Sequence, residues 1–229
     1  NGLGWQQIKQ SVTIPASWQR NIQVYARSYG VDTNWFDDLS LTRGVCSGPS
    51  GPFPLIPTTI NDNFDRADNS SSLGTATSGQ SWTANRGTWG IINKQAYISA
   101  RSEVNNYATI EGGSVNGTVQ VTFATNTQDS RLVFRYQDIN NHYLVERDGS
   151  GYRFYQVVNG ERFGVGSWNT TPQNGDRVTV VTTGGNSFSI QINGVERGNF
   201  IDSQVYGTKY GLGTYNDTGM RFDDFSFTP

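Results

Sequence analysis

The chain has 229 residues, of which 34% are hydrophobic and 13% aromatic, with 27 glycines. That is enough for one large or two small domains, and the mix of aromatics, Thr, Asn and Gly favours strands joined by tight turns. Seventeen basic against nineteen acidic residues leave a formal charge of −2, so no basic face is expected and nucleic acid is not an expected partner. No apolar run reaches the roughly 18 residues of a membrane helix, so no membrane insertion is expected. The single cysteine, Cys46, excludes a disulfide within these residues and reads as a free thiol, with an intermolecular bridge or a partner cysteine further upstream as the alternatives.

In chain order, strand-like runs come first at Trp5–Val12, Ile22–Arg27 and Trp35–Leu41, interrupted at Ile14-Pro15 and Tyr29-Gly30. The third run, Trp35-Phe36-Asp37-Asp38-Leu39-Ser40-Leu41-Thr42, is nearly repeated by Arg221-Phe222-Asp223-Asp224-Phe225-Ser226-Phe227-Thr228 at the end. Both read as closing strands, aromatic–Asp–Asp followed by alternation of period two. A sandwich needs about 100 residues and some 40 cannot bury a core alone, so residues 1–43 read as the terminal strands of an incomplete β-sandwich. The initial Asn1 agrees with a trimmed start. Residues 44–60 hold four of the seven prolines and form a Pro/Gly-rich linker.

From 61 to 229 nearly every segment alternates. Thr88–Ile92 and Gln95–Ser99 flank Asn93-Lys94. Val119–Phe123, Arg131–Tyr136 and His142–Arg147 follow. Asp148-Gly149 turns into Tyr152–Val158, and Asn159-Gly160 turns the chain again. Arg177–Thr182, Ser187–Ile192 and Val195–Phe200 make a meander through Gly184-Gly185 and Asn193-Gly194, and Tyr210–Thr214 and Arg221–Thr228 close it. No helical stripe is present, so the fold class is all-β, a sandwich. Phe64, Trp82, Trp89 and Ile91 are expected in its core, where each large group contributes roughly 1.5–3 kcal/mol.

The stretch Asp62-x-Phe64-x-Arg66-Ala67-Asp68, Leu73-Gly74, Trp82 and Gly87-x-Trp89-x-Ile91, with Asn186–Gly194 as central hairpin, resembles the concanavalin A-like (laminin G-like) jelly roll found in minor tail proteins of phages infecting actinobacteria and in secreted glycan-handling proteins. Residues 1–43 resemble, more loosely, the end of a galactose-binding-like sandwich of carbohydrate-binding modules. The resemblance implies a jelly-roll β-sandwich over 61–229. It also implies a structural Ca2+ tying the amino-terminal segment to the last strand through Asp62 and Asp223 or Asp224, with Asn61 or Asn63 assisting; the alternative is solvated strand-end acids.

Enzymatic chemistry is not expected. The only histidine, His142, reads as a strand-surface residue, and Gly166-Ser167-Trp168 lacks a nucleophile-elbow frame. Glutamates stand at 103, 111, 146, 161 and 196, and none share the paired spacing of concanavalin A-like glycosidases. Asp223 and Asp224, being adjacent, should point to opposite faces. Glycan binding needs flat aromatics beside polar groups, and two sets offer them. One is the hairpin set Tyr143, Tyr152, Arg153 and Tyr155, with Arg153 and Tyr155 expected on one face and Tyr152 and Phe154 on the other. The second is a loop set, Trp168, Asn169, Tyr206, Tyr215, Asn216 and Asp217, which turn-rich sequence should expose. The expected function is a non-enzymatic virion tail (minor tail or fibre) module binding host-surface carbohydrate. An accessory carbohydrate-binding domain of a secreted bacterial glycoside hydrolase or lyase, and a structural tail spacer, are the alternatives. Expected partners are glycans and other tail proteins, and a trimeric assembly would fit. The expected location is the virion or the extracellular medium.

Overall fold

The computed structural model describes residues 58–183 and 187–229. The strands expected at 1–43, nearly all of the linker, Cys46 and the Gly184-Gly185 turn lie outside the described residues. The described residues form fifteen strands and no helix: β1 (Ile60–Asp62), β2 (Thr83–Arg86), β3 (Thr88–Ile92), β4 (Gln95–Ala100), β5 (Asn105–Glu111), β6 (Gly117–Thr125), β7 (Ser130–Asp138), β8 (Asn141–Asp148), β9 (Gly151–Val158), β10 (Glu161–Trp168), β11 (Asp176–Thr183), β12 (Ser187–Ile192), β13 (Val195–Ile201), β14 (Lys209–Tyr215) and β15 (Arg221–Thr228). They make two antiparallel sheets, as the alternation predicts. One has the order β13-β12-β11-β6-β15-β4-β3, with β1 also on β15; the other is β10-β9-β8-β7-β14-β5-β2. Hairpins turn where the dipeptides require: Asn159-Gly160 and Asn193-Gly194 both take positive φ at both positions, the twist-compatible geometry for a two-residue loop.

The two sheets enclose one aromatic-rich core. Phe64, Trp89 and Ile91 are buried as expected and Trp82 nearly so, alongside Phe123, Phe134, Phe154, Phe188, Phe222 and Phe227. Phe134 packs on Tyr143, Phe154 and Phe188 with centroids 5.5–5.7 Å apart, a spacing that adds to simple burial.

The opening motif acts as a structural clasp. β1 pairs with the last strand, Ile60 opposite Phe227 and Asp62 opposite Phe225. The buried Asp62 carboxylate accepts from Arg66 Nη1 (2.7 Å) and Nη2 (2.9 Å), Trp82 Nε1 (2.7 Å) and the Phe64 backbone N–H (3.0 Å). Arg66 also donates to the Leu73 carbonyl, from Nε at 2.9 Å and Nη2 at 2.6 Å. Trp82 in turn sits edge-on to Phe225, 5.0 Å between centroids. The Asp–Phe–Arg…Leu…Trp spacing therefore joins the first strand to the last.

At Asp223-Asp224 the expected alternation gives way to a bulge. Asp224 has φ +47° and the pairing to β6 shifts between Asp223 and Ser226. One residue more than strict alternation allows lies between Phe222 and Phe225, so both aromatics reach the core while Asp223 stays partly exposed and Asp224 exposed.

Candidate functional site on the outward sheet face

In β7, β8 and β9 the period of two decides which side chains leave the core. Leu132, Phe134, Tyr143, Val145, Tyr152 and Phe154 join it. The residues between them face outward. Cross-strand register sets Glu146 beside Arg131 on one side and Arg153 on the other, Leu144 beside Val133 and Tyr155, and His142 beside Val157. β10 adds Arg162 opposite Val157, β5 adds Tyr107 opposite Gly213 of β14, and β2 adds Arg86 opposite Tyr107. Tyr107, Val133, Tyr136, Leu144 and Val157 form a second apolar cluster on this face. Gly213 makes room for it: a Cβ there would lie 2.9 Å from the Tyr107 ring and 3.1 Å from a Val133 methyl.

A pocket of about 210 Å³ opens on this face. Its polar wall is Arg86, Asn105, Tyr107, Arg131 and Arg162, its apolar wall Leu144, Val157 and Ile139, and the turns of two hairpins, at Asn140 and Gly160, bound it. Among the described residues no carboxylate lines it. Behind the wall, the nearly buried Glu146 pairs with Arg131 through one oxygen and Arg162 through the other. Arg131, wholly buried, donates from Nη1 to Asn105 Oδ1 (2.7 Å) and Tyr107 Oη (3.3 Å), while its Nη2 is buried with no partner among the described residues. The Arg162 guanidinium carbon lies 3.4 Å from the Tyr155 ring centroid, a stacking contact that fixes its plane. Arg86 forms no ion pair among the described residues. Burial raises the Tyr107 hydroxyl pKa; Arg131, Arg162 and Arg86 pull it back and Glu146 pushes it up.

His142 is not on the surface. Its ring is buried between Tyr107 (centroids 4.8 Å) and Tyr136 (5.4 Å), Nδ1 lies 3.2 Å from the Asp138 carbonyl, and Nε2 has no partner among the described residues. Burial lowers its pKa to about 4, against the opposing Asp138 hydrogen bond, so it is neutral at pH 7. Alternation correctly sets its direction, away from the main core. The expectation of exposure fails because aromatic neighbours from β5 and β7 cover it.

The residues expected to bind ligand do not converge. Trp168 ends β10 and packs against the core, edge-on to Phe200 at 5.8 Å, while Asn169 beside it is exposed. Tyr206 lies 5.8 Å from the Arg135 guanidinium. Asn216 accepts from Arg101 and Asp217 caps its own turn by accepting from the Gly219 N–H (2.8 Å). Tyr215 touches two residues of the pocket wall, its ring 5.3 Å from the Arg131 guanidinium carbon and its backbone paired with Asn105. Trp168, Tyr206 and Tyr215 are not among the residues that line the pocket. In the hairpin set Tyr143 and Tyr152 are core residues, their hydroxyls donating to Asp202 and Asp176, and Arg153 and Tyr155 face outward as expected.

The residues named for calcium do not fit that ion. Calcium takes roughly six to eight oxygens, but both Asp62 oxygens already face the Arg66 guanidinium, which occupies the place a cation would take. Burial and the carboxylates of Asp224, Asp62 and Asp65 raise the Asp223 pKa, against a backbone hydrogen bond from Asp224. Among the described residues no group of three or more His, Cys, Asp or Glu is placed to hold a metal.

Two facing antiparallel sheets, one carrying a pocket on its outward face, define a jelly-roll β-sandwich. No family model matches the sequence, and no curated protein matches it. Among solved structures the chain is similar to the carbohydrate binding module CBM66 from Bacillus subtilis, with a TM-score of 0.56 and 20% identity over 64% of this chain and 95% of that one. It is also similar to the Bacillus licheniformis β-glucanase (TM-score 0.49, 9% identity, 75% of this chain and 98% of that one). A third is the receptor binding domain of the botulinum neurotoxin C/D mosaic serotype (0.47, 10%, 75% and 47%). At 20% identity the first likeness establishes the fold.

Proposed function

We propose that this chain is a non-enzymatic carbohydrate-binding module and that the outward pocket of the seven-stranded sheet is its sugar site. The observation that carries this reading is the pocket's composition: guanidinium, amide and phenol groups on fixed strands opposite an apolar wall. A sugar ring presents hydroxyls to the first and its C–H face to the second. Hydrolysis would need two carboxyl groups flanking the bond, roughly 5–9.5 Å apart. Glu146 is the one carboxylate among the outward residues of the pocket strands that meets the pocket arginines, and it has both oxygens engaged by them. The likeness to CBM66, itself named a carbohydrate binding module, supports binding as the role.

The opening motif resembles minor tail proteins of actinobacterial phages, so we place the module on a virion tail or fibre, where it contacts host-surface glycan and neighbouring tail proteins. Many weak copies would there act together. The CBM66 likeness favours one alternative, an accessory domain of a secreted glycoside hydrolase or lyase. The test is retention of the full chain on insoluble cell-wall polysaccharide from actinobacteria. Wild type should be retained and released by soluble glycan, and Arg162→Ala should be retained several-fold less. Equal retention of both, or release of reducing sugar by the protein, would contradict the proposal.

A further inference from the structure

The pocket's charge narrows the sugar class, on the reading that the pocket is a sugar site. Three guanidiniums, those of Arg86, Arg131 and Arg162, stand in its wall. Among the described residues a single carboxylate, Glu146, pairs with them and is shared between two, so three guanidiniums stand against one directly paired acid. Two other acids on this face are engaged elsewhere. Asp148 pairs with Arg153 at 2.5 Å, and Asp138 binds the Asn140 N–H and the Asn141 amide in its own turn. Asp129, whose pKa is raised to about 6 by burial first and Glu146 second and pulled back by Arg131, sits at the Arg131 end of β7, beside Ser130, and forms no ion pair among the described residues.

The donors left over are specific. Arg131 Nη2 is fully buried and unpartnered, and Arg86 has no acid among the described residues. A neutral sugar hydroxyl can accept from either, but it leaves the excess charge uncompensated in a partly desolvated wall. A carboxylate or an ester of sulfate or phosphate accepts from a guanidinium in a two-point, charge-assisted geometry. The volume sets the size. About 210 Å³ lies below the roughly 300–1,000 Å³ of drug-sized sites, so the pocket admits one ring and not an oligosaccharide chain.

We infer that the pocket takes a single anionic sugar ring, its acidic substituent held between Arg86 and Arg131 and its apolar face against Leu144 and Val157. The shared chemistry is a negatively charged group on a monosaccharide; a uronic acid, a sialic acid and a sugar sulfate or phosphate are its possible sources.

Isothermal titration of the full chain tests this with glucuronate, galacturonate, N-acetylneuraminate, glucose 6-sulfate and glucose 6-phosphate against glucose and galactose, with inorganic sulfate as control. At least one anionic sugar should bind about tenfold or more tighter than the neutral sugars, and the advantage should shrink as salt is raised. Which arm wins identifies the source. Arg86→Gln, which breaks no ion pair, should lose most of the advantage, whereas Arg177→Gln, an exposed arginine on the opposite sheet, should keep it. Neutral sugars binding as tightly as anionic ones would overturn the charge inference and leave the sugar site standing. Sulfate alone binding as tightly as any sugar, or no probe binding, would overturn both. An anionic preference unaffected by Arg86→Gln would overturn the placement.

Discussion

Removing the Asp62 carboxylate tests whether the clasp between first and last strands carries the fold. Asp62→Ala takes away the acceptor of two arginine N–H bonds, the Trp82 indole and the Phe64 amide at once. Deleting one member of a buried ion pair costs about 3–5 kcal/mol. The Arg66 side chain is 26% exposed and keeps the Leu73 carbonyl, which lowers its share to about 2–3 kcal/mol. An indole N–H left without an acceptor adds about 1–2 kcal/mol. Because these losses share one network they do not simply add, and we expect about 3–5 kcal/mol in all. For a domain of this size that is a fall in Tm of roughly 6–20 °C, read by thermal or urea unfolding followed by tryptophan fluorescence. Trp82→Phe, which deletes one donor and keeps an aromatic ring against Phe225, should cost about 1–2 kcal/mol. A loss below about 1 kcal/mol for Asp62→Ala would refute the clasp. So would a wild-type Tm that rises with added Ca2+ and stops doing so in Asp62→Ala, because the guanidinium would then not be the resident cation.

Three further outcomes follow from the geometry. His142 is neutral in the fold, with its pKa lowered from 6.5 to about 4; its contribution is complete above pH 6.5 and is lost as pH falls towards 4, by about 3 kcal/mol at most. The urea stability difference between wild type and His142→Phe should shift by that amount across this window, and a flat difference would contradict burial of the neutral ring. Asp129, raised to about 6, acts in the opposite sense below pH 6 in both proteins and cancels in the difference. Trp168→Ala should destabilise by about 1–3 kcal/mol through its lost contact with Phe200 and leave sugar affinity unchanged; unchanged stability with lost binding would restore the loop set as the site. Gly213→Ala should push Tyr107 and Val133 from their places and weaken binding several-fold in a glycan titration while the protein stays folded; wild-type affinity would mean the pocket does not depend on Tyr107.

Strands whose two faces differ were legible from the sequence. β6, β11 and β12 alternate apolar and polar residues because one side meets the core and the other meets water, β15 does so on either side of its bulge, and all four emerge close to where alternation places them. The strands that supply much of the pocket were not. β5 is buried on both faces from Asn106 to Ile110 and opens on Asn105-Asn106, so it shows no period of two. β10 is an edge strand containing Gly164 and Gly166 and is mostly exposed, and β2 is four residues with a lone alanine as its apolar member. Arg86, Asn105, Tyr107 and Arg162 lie on these three strands. They meet Arg131 only through sheet order, in which β10 and β2 occupy opposite edges. The legible hint was local: Arg153 and Tyr155 pointing outward together, which marked the correct face, though Tyr143 and Tyr152 on the same hairpin serve the core.

The most direct test of a sugar site on the outward face is the arginine side-chain NMR spectrum of the full chain, with the Nε–Hε resonances assigned by single substitution. Soluble fragments of actinobacterial cell-surface glycan should shift the signals of Arg86, Arg131 and Arg162 together and leave Arg177, on the other sheet, in place. Shifts confined to the surroundings of Trp168 or Tyr206, or to the eight-stranded sheet, would contradict the account.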